Sequence, residues 1–412
     1  MENMDVMDCE TASSGGLRSF SDAYLPDCIM SQILLRVPVK FLFRCKCVSK
    51  HWQNLISELS FGCSYSGHYE DCSTCSVPWT FLFFCSTDYA SVTSNSTRIS
   101  CGVFNMCYPA QHNLPGSVLE FFEFKQQVPR PFRVLACSSG LVLYRAVKRH
   151  KDYVHNPLTK QWVALPRRSQ LHKWVSIGFL VDQENSSFHV VRIAEFSGSS
   201  SVLDLEIFSS PVGKWIESKL SCDSPVMLSI KHQEAVVYKG ILHWREYNNR
   251  IIAYDIMKNA HQCRLIDMPK DRDRDAVGLL GASKECFRYL EVKRDPYDRW
   301  CLSVWILKNY ELGEWALEHQ ISILDIAHAN PQFKMLWMIS DFNLRPVSFH
   351  PLDPDVVFLV CYDFIVLYNL VTKRLKLAKP DFDCDPMSKF NLYESTPFLL
   401  YPWPTPVHKR EV

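Results

Sequence analysis

The first hydrophobic pattern in the chain predicts a short helix that begins at Pro26, because proline is favoured in the first turn of a helix. Ile29, Ile33 and Val37 recur every four residues, so they share one face of that helix. Pro38 ends the helix, since the residue before a proline is disfavoured in helical conformation.

Two further short helices follow in the same segment. Their apolar positions are Phe41, Leu42, Cys45, Val48, Trp52, Leu55 and Ile56. Ser49 is a suitable N-cap for the third helix. Three short helices have too little interior to bury so many apolar side chains, so the surplus predicts a docking face for another protein. The alternative is that these helices pack on the rest of the chain.

From residue 79 onward the pattern changes to short apolar strands in a repeat. The units end near residues 115, 166, 220, 269, 321 and 380, which are 49 to 59 residues apart. A spacing of about 50 residues with several strands per unit is typical of kelch-type propeller blades. The fold class is therefore mainly β with a small all-α N-terminal module, and we expect six blades packed around an axis.

The repeat makes three specific predictions. Turns within the units are expected at Asn156-Pro157, Ser210-Pro211, Asp255, Asn309 and Asn369. Trp162, Trp215 and Trp315 follow such turns and are expected to pack between blades. The apolar run at residues 398–401 is expected to supply a missing strand of the first unit, residues 79–115, and so to clasp the ring closed.

The helical segment resembles an F-box. The family pattern is present as Leu25-Pro26-Asp27, Ile33-Leu34, Val37-Pro38 and Val48-Ser49-Lys50-His51-Trp52, with Val37 in place of the commoner Leu and Ser49 where Cys is frequent. The resemblance implies binding to the Skp-type adaptor of an SCF ubiquitin ligase and, through it, to cullin and RING subunits. The residues implied in this interface or its support are Leu25, Pro26, Ile29, Ile33, Leu34, Val37, Pro38, Leu42, Val48 and Trp52.

The repeated region resembles the F-box-associated, kelch-like propellers of plant F-box proteins. Residues 138–144 and the turn at residues 156–162 carry this resemblance, which covers most of residues 79–402. The double glycine of standard kelch repeats is absent, so the number of blades is the least specific part of the prediction.

Composition and charge narrow the function classes. The 412 residues have 45 Lys and Arg against 44 Asp and Glu, so the net charge of +1 offers no bulk attraction to nucleic acid or to an anionic membrane. The first 16 residues lack an apolar signal core, and no stretch reaches the length of a membrane span. We therefore expect a cytoplasmic or nuclear protein, in which the 17 cysteines are mostly reduced.

No motif in the sequence predicts a cofactor or a catalytic centre. Cys63, His68, Cys72 and Cys75 could hold zinc, but a strong zinc signature has two separated ligand pairs and this segment has one Cys-x-x-Cys. The preferred interpretation is a flexible connector without metal. Propeller active sites assemble from distant loops, so an enzyme remains an alternative.

The combined interpretation is a non-catalytic substrate receptor in protein ubiquitination, in which the helical module docks to the adaptor and the propeller binds a target protein. The alternatives are an adaptor-bound scaffold outside a ligase and a propeller enzyme. The predicted organisation is a disordered tail at 1–20, an F-box at 21–61, a linker at 62–78, a propeller at 79–402 and a C-terminal tail at 403–412. Target-binding loops should be rich in aromatic and Arg residues. The candidates are His172, Lys173 and Trp174; Arg245, Tyr247 and Asn248; and Tyr297, Arg299 and Trp300.

Overall fold

The structure is a computed structural model with two compact units, residues 1–65 and 66–412. It describes residues 25–37, 39–58, 60–62, 64–65, 79–87, 98–105, 132–146, 151–157, 159, 161–167, 174–182, 185–194, 196, 198–228, 233–259, 261–270, 277–283, 285–294, 300–333, 344–351, 353–361, 364–377 and 390–399. The tail predicted at 1–20, most of the linker predicted at 62–78 and the tail predicted at 403–412 lie outside the described residues.

The described part of the first unit contains α1 (Asp27–Leu34), α2 (Val39–Cys45) and α3 (Lys50–Ser57), and residues 60–62 and 64–65 are also helical. Ser49 caps α3 as predicted, because its hydroxyl accepts a hydrogen bond from the Trp52 N–H at 3.1 Å. Pro26 is the N-cap residue of α1 rather than its first helical residue. The unit extends past the predicted boundary at 61, since the buried Tyr65 donates a hydrogen bond to the Val37 carbonyl at 2.7 Å.

The end of α1 follows from the covalent structure of Pro38. In a continued helix the Leu34 carbonyl would accept a hydrogen bond from residue 38, but proline has no N–H. The Val37 N–H donates to Leu34 instead, at 3.1 Å, which tightens the last turn and ends the helix.

The second unit consists of six sheets. The first is a three-stranded closing sheet of β1 (Trp79–Thr87), β2 (Arg98–Asn105) and β24 (Phe390–Leu399). Blade 1 contains β3 (Phe132–Ser138), β4 (Leu141–Ala146), β5 (Lys151–Asn156) and β6 (Gln161–Ala164). Blade 2 contains β7 (Trp174–Asp182), β8 (Ser187–Ala194), β9 (Ser200–Ser209), β10 (Lys214–Val226) and the two-residue β11 (Gln233–Glu234).

The other three blades have four strands each. Blade 3 contains β12 (Val236–Tyr238), β13 (Ile241–Arg245), β14 (Arg250–Tyr254) and β15 (Arg264–Asp267). Blade 4 contains β16 (Val277–Ser283), β17 (Cys286–Arg294), β18 (Trp300–Asn309) and β19 (Glu314–Ser322). Helix α4 (Ile323–Ala329) and a 3-10 turn (Pro331–Phe333) follow it. Blade 5 contains β20 (Leu344–Phe349), β21 (Val356–Cys361), β22 (Phe364–Asn369) and β23 (Leu375–Leu377).

The sheets succeed one another around a ring. The first strands of blades 1 to 5 contact each other in order, from β3 to β7, β12, β16 and β20. Strand β24 contacts both β20 and β3, so the closing sheet lies between the last blade and the first. This arrangement leaves few exposed strand edges, as expected for a propeller.

The expected count of six blades is corrected to five. The described part of the segment at 79–115 supplies only β1 and β2, and the third strand of their sheet comes from the C-terminal part of the chain. The predicted clasp is confirmed, because β24 pairs antiparallel with β1 and places Leu399 opposite Trp79 and Phe398 opposite Thr80.

The five predicted turns all connect the third and fourth strands of a blade. In four of them a side-chain oxygen of the first turn residue accepts a backbone hydrogen bond, which is the geometry that favours Asn and Asp there. The four acceptors are Asn156, Asp255, Asn309 and Asn369. Local side-chain chemistry therefore sets the repeat that the sequence displays.

The core of the ring lies between blades rather than within them. Four hydrophobic clusters fill the junctions from blades 1 and 2 through to blades 4 and 5. The second strands are sandwiched between neighbouring blades, so β21 is buried at every position. At the junction of blades 2 and 3, the fully buried Trp244 donates its indole N–H to the Ile177 carbonyl at 3.1 Å.

Two of the repeat tryptophans form the same contact between neighbouring blades, which confirms their predicted packing role. Trp215 of blade 2 donates its indole N–H to the Pro166 carbonyl after blade 1, at 3.0 Å. Trp315 of blade 4 donates to the Asp267 carbonyl of blade 3, at 2.8 Å. Trp162 instead stacks on His155 within blade 1, with ring centroids 3.6 Å apart.

Candidate functional site

Five large apolar side chains among the described residues of the helical unit are in contact with solvent. Their exposed fractions lie between 45% and 64%, far above those of core residues. They are Leu25, Ile29, Ile33, Phe41 and Val48, and they are called the apolar docking set below. Ile29 and Ile33 lie one turn apart on α1, so the pattern that predicted the helix also identifies its uncovered face.

The other predicted adaptor residues have different placements. Leu34 and Leu42 are buried and belong to the interior of the module. Val37 and Trp52 are half-buried, and Pro26 is exposed at the start of α1. Pro38 lies outside the described residues.

The prediction omitted Phe41, which is 49% exposed. The signal that could have found it is its place beside Leu42 in α2, since adjacent helical positions point in different directions and only one of the two can face the interior. The Arg44 guanidinium lies 5.7 Å from the Phe41 ring centroid.

The helical module carries more positive than negative charge. Residues 25–58 contain five Lys and Arg residues but only two Asp and Glu residues. An exposed apolar face on a module with an excess of positive charge fits a partner whose own surface combines apolar and acidic groups.

A second candidate surface is one rim of the ring. β11 pairs in parallel with β7 and leads directly into β12, so the first strands of blades 2 and 3 run in the same direction. In a four-stranded antiparallel blade, the loop between the second and third strands lies at the same end as the connection to the next blade. The described members of the predicted target-binding groups lie in or beside loops and connections of this kind: Trp174, Arg245, Tyr247, Asn248 and Trp300. This end of the ring is called the connection rim.

The hairpin between β13 and β14 projects an aromatic side chain from this rim. Tyr247 is 72% exposed, and Asn248 beside it is also exposed. The backbone beneath them is fixed, because the Tyr247 N–H donates to the Met227 carbonyl at 2.7 Å. The buried Glu246 accepts from the Met227 N–H at 3.0 Å and from the Arg250 guanidinium at 2.6 Å. This hairpin is a rigid platform for an exposed tyrosine.

The hairpin between β17 and β18 carries a second aromatic group. Trp300 is half-buried against the core between blades 4 and 5, and the exposed Arg294 lies 5.0 Å from its ring centroid. Arg294 and Trp300 are paired across the two strands, so their side chains are neighbours at the start of the loop.

Arg245 was a candidate for contact with a target at the rim, but its side chain contacts the next blade. Its guanidinium donates to the Gly278 carbonyl of blade 4 at 3.0 Å and lies 5.9 Å from the Tyr289 ring centroid. It therefore links two blades and is only partly exposed. His172, Lys173, Tyr297 and Arg299 lie outside the described residues, and Trp174 is described only as the first residue of β7.

The buried charges of the ring are balanced within the junctions between blades. Arg192 contacts Asp152 and lies 3.9 Å from Glu206, while Arg145 donates to Asp152 at 2.9 Å. Burial, reinforced by the neighbouring Arg145, lowers the pKa of Arg192 to about 9. The ring of Trp215 covers the Arg192 guanidinium at 4.3 Å. The network is two cations with two anions, which is a structural arrangement rather than an acid–base pair aimed at a substrate.

Two buried histidines are neutral near pH 7. Burial lowers the pKa of His155 to about 3 and that of His243 to about 4. His243 lies between blades, with Nε2 at 2.7 Å from the Tyr310 hydroxyl and Nδ1 at 3.2 Å from the Val236 carbonyl. Both rings are therefore parts of the packed interior.

No group of three or more His, Cys, Asp or Glu side chains among the described residues is arranged to hold a metal ion. Cys63, His68, Cys72 and Cys75, the possible zinc ligands, lie outside that part of the chain. None of the helices that the structure describes has both the length and the apolar character needed to span a bilayer.

Comparison with protein families gives two matches. Residues 101–396 match the family described as "F-box protein At3g26010-like, beta-propeller", and residues 24–64 match the F-box domain. The first match covers most of the ring, and the second covers α1, α2 and α3.

Three relatives from Arabidopsis thaliana align with most of this chain at low identity. F-box protein At1g49990 is 23% identical over 376 residues, which cover 80% of each chain. F-box/kelch-repeat protein At3g23880 is 24% identical over 343 residues, 78% of this chain and 84% of the relative. F-box protein At3g26010 is 23% identical over 370 residues, 86% of this chain and 79% of the relative. A solved nidogen/laminin complex aligns with a TM-score of 0.37 at 10% identity, covering 78% of this chain and 99% of that chain.

Proposed function

Because the chain belongs to the At3g26010-like F-box β-propeller family, we propose that it is the substrate receptor of an SCF-type ubiquitin ligase. In this role the F-box binds a Skp-type adaptor, which brings cullin and RING subunits, and the propeller binds the target protein. The protein performs no bond chemistry itself. It raises the effective concentration of target lysines near the charged conjugating enzyme.

The observation that carries the proposal is the uncovered apolar docking set on the helical unit. Burying the exposed half of one such side chain contributes about 1 kcal/mol, so covering all five contributes about 5 kcal/mol before the costs of association. A surface of this kind is stabilised by a partner, and the positive charge around it favours an acidic one.

The connection rim is the surface proposed to bind the target protein. Tyr247 and Trp300 are the aromatic side chains offered to the target, with Asn248 and Arg294 beside them as polar contacts. Their fixed backbone favours a receptor that holds its target in one orientation, which is what a proximity mechanism requires.

The first experiment is capture of a Skp-type adaptor by purified full-length protein. The double variant Leu25→Ala, Pro26→Ala should lose at least tenfold in adaptor affinity, because it removes the edge of the docking set without touching the interior. Leu312→Ala is the matched control, since Leu312 is 69% exposed on blade 4 and should leave adaptor affinity unchanged. Equal affinities for all three proteins would refute the proposed interface.

A second experiment separates a ligase receptor from a scaffold bound to the adaptor alone. Proximity labelling in cells, with and without proteasome inhibition, should recover cullin together with proteins whose lifetime depends on this chain. Tyr247→Ala combined with Trp300→Ala should remove those targets and retain cullin. Recovery of the adaptor without cullin would favour the scaffold, and failure to recover either would favour an unrelated role such as a propeller enzyme.

A further inference from the structure

The junction between blades 2 and 3 differs from its neighbours at the position of the repeat tryptophan. In blade 2 this position is Trp215, opposite Phe208 near the turn between the third and fourth strands. In blade 3, Ala253 pairs with Arg264, so the equivalent residue one step closer to the turn is Cys263. A small thiol therefore stands where two other blades place an indole that bonds to the preceding blade.

Backbone contacts replace the missing indole bond at this junction. Ser221 in β10 and Gln262 form a parallel bridge, in which the Ser221 N–H donates to the His261 carbonyl at 2.8 Å. The Cys263 N–H donates to the Ser221 carbonyl at 3.0 Å. Cys222 follows Ser221 in β10 and Cys263 follows Gln262, so this bridge holds the two cysteines side by side.

The two sulfur atoms meet inside the junction. The Cys263 thiol donates to the Cys222 sulfur, and the two Sγ atoms are 3.0 Å apart. Cys222 is 7% exposed and Cys263 is 3% exposed, both within the apolar cluster between the blades. Adjacent parallel strands are about 4.8 Å apart, a separation between α-carbons that a disulfide can span.

We propose that Cys222 and Cys263 are a reversible oxidation site, at which peroxide forms a disulfide that joins blade 2 to blade 3. The Cys222 thiolate attacks one oxygen of hydrogen peroxide and breaks the O–O bond, and the other oxygen leaves as hydroxide and is protonated to water. Cys263 then attacks the sulfenic sulfur, forms the S–S bond and releases the second water. Two thiols lose two electrons, and one peroxide becomes two waters.

The surroundings assign the roles of the two thiols. The hydrogen bond from Cys263 and the nearby Arg250 guanidinium lower the pKa of Cys222, whereas the same hydrogen bond and burial raise the pKa of Cys263. Cys222 is therefore the attacking residue and Cys263 the resolving one. Cys222 is 7% exposed against 3% for Cys263, so Cys222 is also the more accessible of the two sulfur groups.

The disulfide would act on the connection rim as well as on stability. It closes a loop between positions 41 residues apart and so restricts the unfolded chain. Ser224 and Pro225, two and three residues beyond Cys222, accept hydrogen bonds from Arg250, which also holds Glu246 beneath the Tyr247 hairpin. Locking β10 to blade 3 therefore further fixes the platform that carries Tyr247.

The test exposes reduced full-length protein to graded hydrogen peroxide, blocks the remaining thiols with N-ethylmaleimide and maps peptides by mass spectrometry. A linked pair containing Cys222 and Cys263 should appear, with a mass about 2 Da below the sum of the reduced peptides, and dithiothreitol should reverse it. The melting temperature should rise by about 3 °C or more upon oxidation.

The variants make the assignment specific. Cys222→Ser should lose both the linked peptide and the rise in melting temperature, whereas Cys286→Ser, a half-buried cysteine of blade 4, should retain both. If Cys222→Ser does not fold, peptide mapping of the unaltered protein decides alone. The proposal is overturned if Cys222 and Cys263 both remain thiols at peroxide levels that oxidise the exposed Cys28 and Cys47, or if Cys222 becomes a sulfinic acid without a disulfide.

Discussion

Ile29 and Ile33 of the helical unit are each 46% exposed, whereas Ile251 and Ile252 of blade 3 are fully buried. The isoleucine side chain is therefore exposed in the helical unit and buried in the ring. The ring buries its apolar residues because each blade is covered by its neighbours on both faces. Among the described residues, the helical unit leaves its docking set in contact with solvent, which is the feature on which the proposed adaptor interface rests.

The largest expected effect comes from truncating one apolar side chain in each unit and comparing the losses in the free energy of unfolding. Trp244→Ala removes a fully buried indole and its bond to Ile177, and should lower the free energy of unfolding of the ring by about 3–5 kcal/mol. Ile33→Ala removes an exposed side chain and should cost less than about 1 kcal/mol. Urea unfolding monitored by tryptophan fluorescence measures both. Similar losses for the two variants would show that Ile33 is covered by its own chain.

Acid should lower the free energy of unfolding of the ring through protonation of His243. Its pKa is about 4 in the folded ring and near 6.5 in the unfolded chain, so the unfolded state takes up the proton first as the pH falls. The stabilisation is present above pH 6.5 and is lost progressively as the pH falls toward 4. At pH 5 the expected loss from this residue is about 2 kcal/mol.

His243→Gln checks this assignment, since glutamine stays neutral and can still hydrogen-bond. Unfolding midpoints in urea at pH 7.5 and pH 5.0 should differ less for this variant than for the unaltered protein. His155, whose pKa is also lowered, retains its own contribution in both proteins. An unchanged pH dependence would mean that His243 is not buried in neutral form.

The smallest expected effect concerns single hydrogen bonds between blades. Trp215→Phe keeps an aromatic ring but deletes the indole N–H that bonds to Pro166, and should cost about 1 kcal/mol. Trp315→Phe should cost a similar amount, because its bond to Asp267 has the same geometry. Tyr247→Phe is the control and should be neutral, since that side chain is 72% exposed. Thermal unfolding would resolve these differences, and a neutral result for both tryptophans would assign their role to packing alone.

Features set by local chemistry could be predicted from the sequence. The Ser49 cap, the end of α1 before Pro38 and the turns that begin with Asn or Asp depend on residues a few positions apart. The exposed face of α1 also follows from local spacing, because Ile29 and Ile33 are one turn apart. The clasp was predicted from an unpaired apolar run, for which β1 offered an edge.

Features set by contacts between distant residues could not be predicted in this way. The predicted number of blades was wrong because the three-stranded closing sheet has the same apolar spacing in sequence as part of a blade. Its strands come from the N-terminal and C-terminal parts of the propeller region. Arg245 resembled a rim residue in sequence, but the Gly278 carbonyl that holds it comes from the next blade. The pairing of Cys222 with Cys263 likewise depends on the bridge between two outer strands, which the sequence does not display.

The pairing of β1 with β24 also orders events during synthesis. A ribosome makes β1 and all five blades before it makes β24, so one edge of β1 lacks this partner until residues 390–399 have been synthesised. Over that interval the nascent ring is open and exposes the flanks of its first and last blades, which makes it a client for chaperones. A polypeptide that ended after blade 5 would therefore keep the helical unit but lack the strand that closes the ring. Under the proposed function it would compete for the adaptor without holding a target.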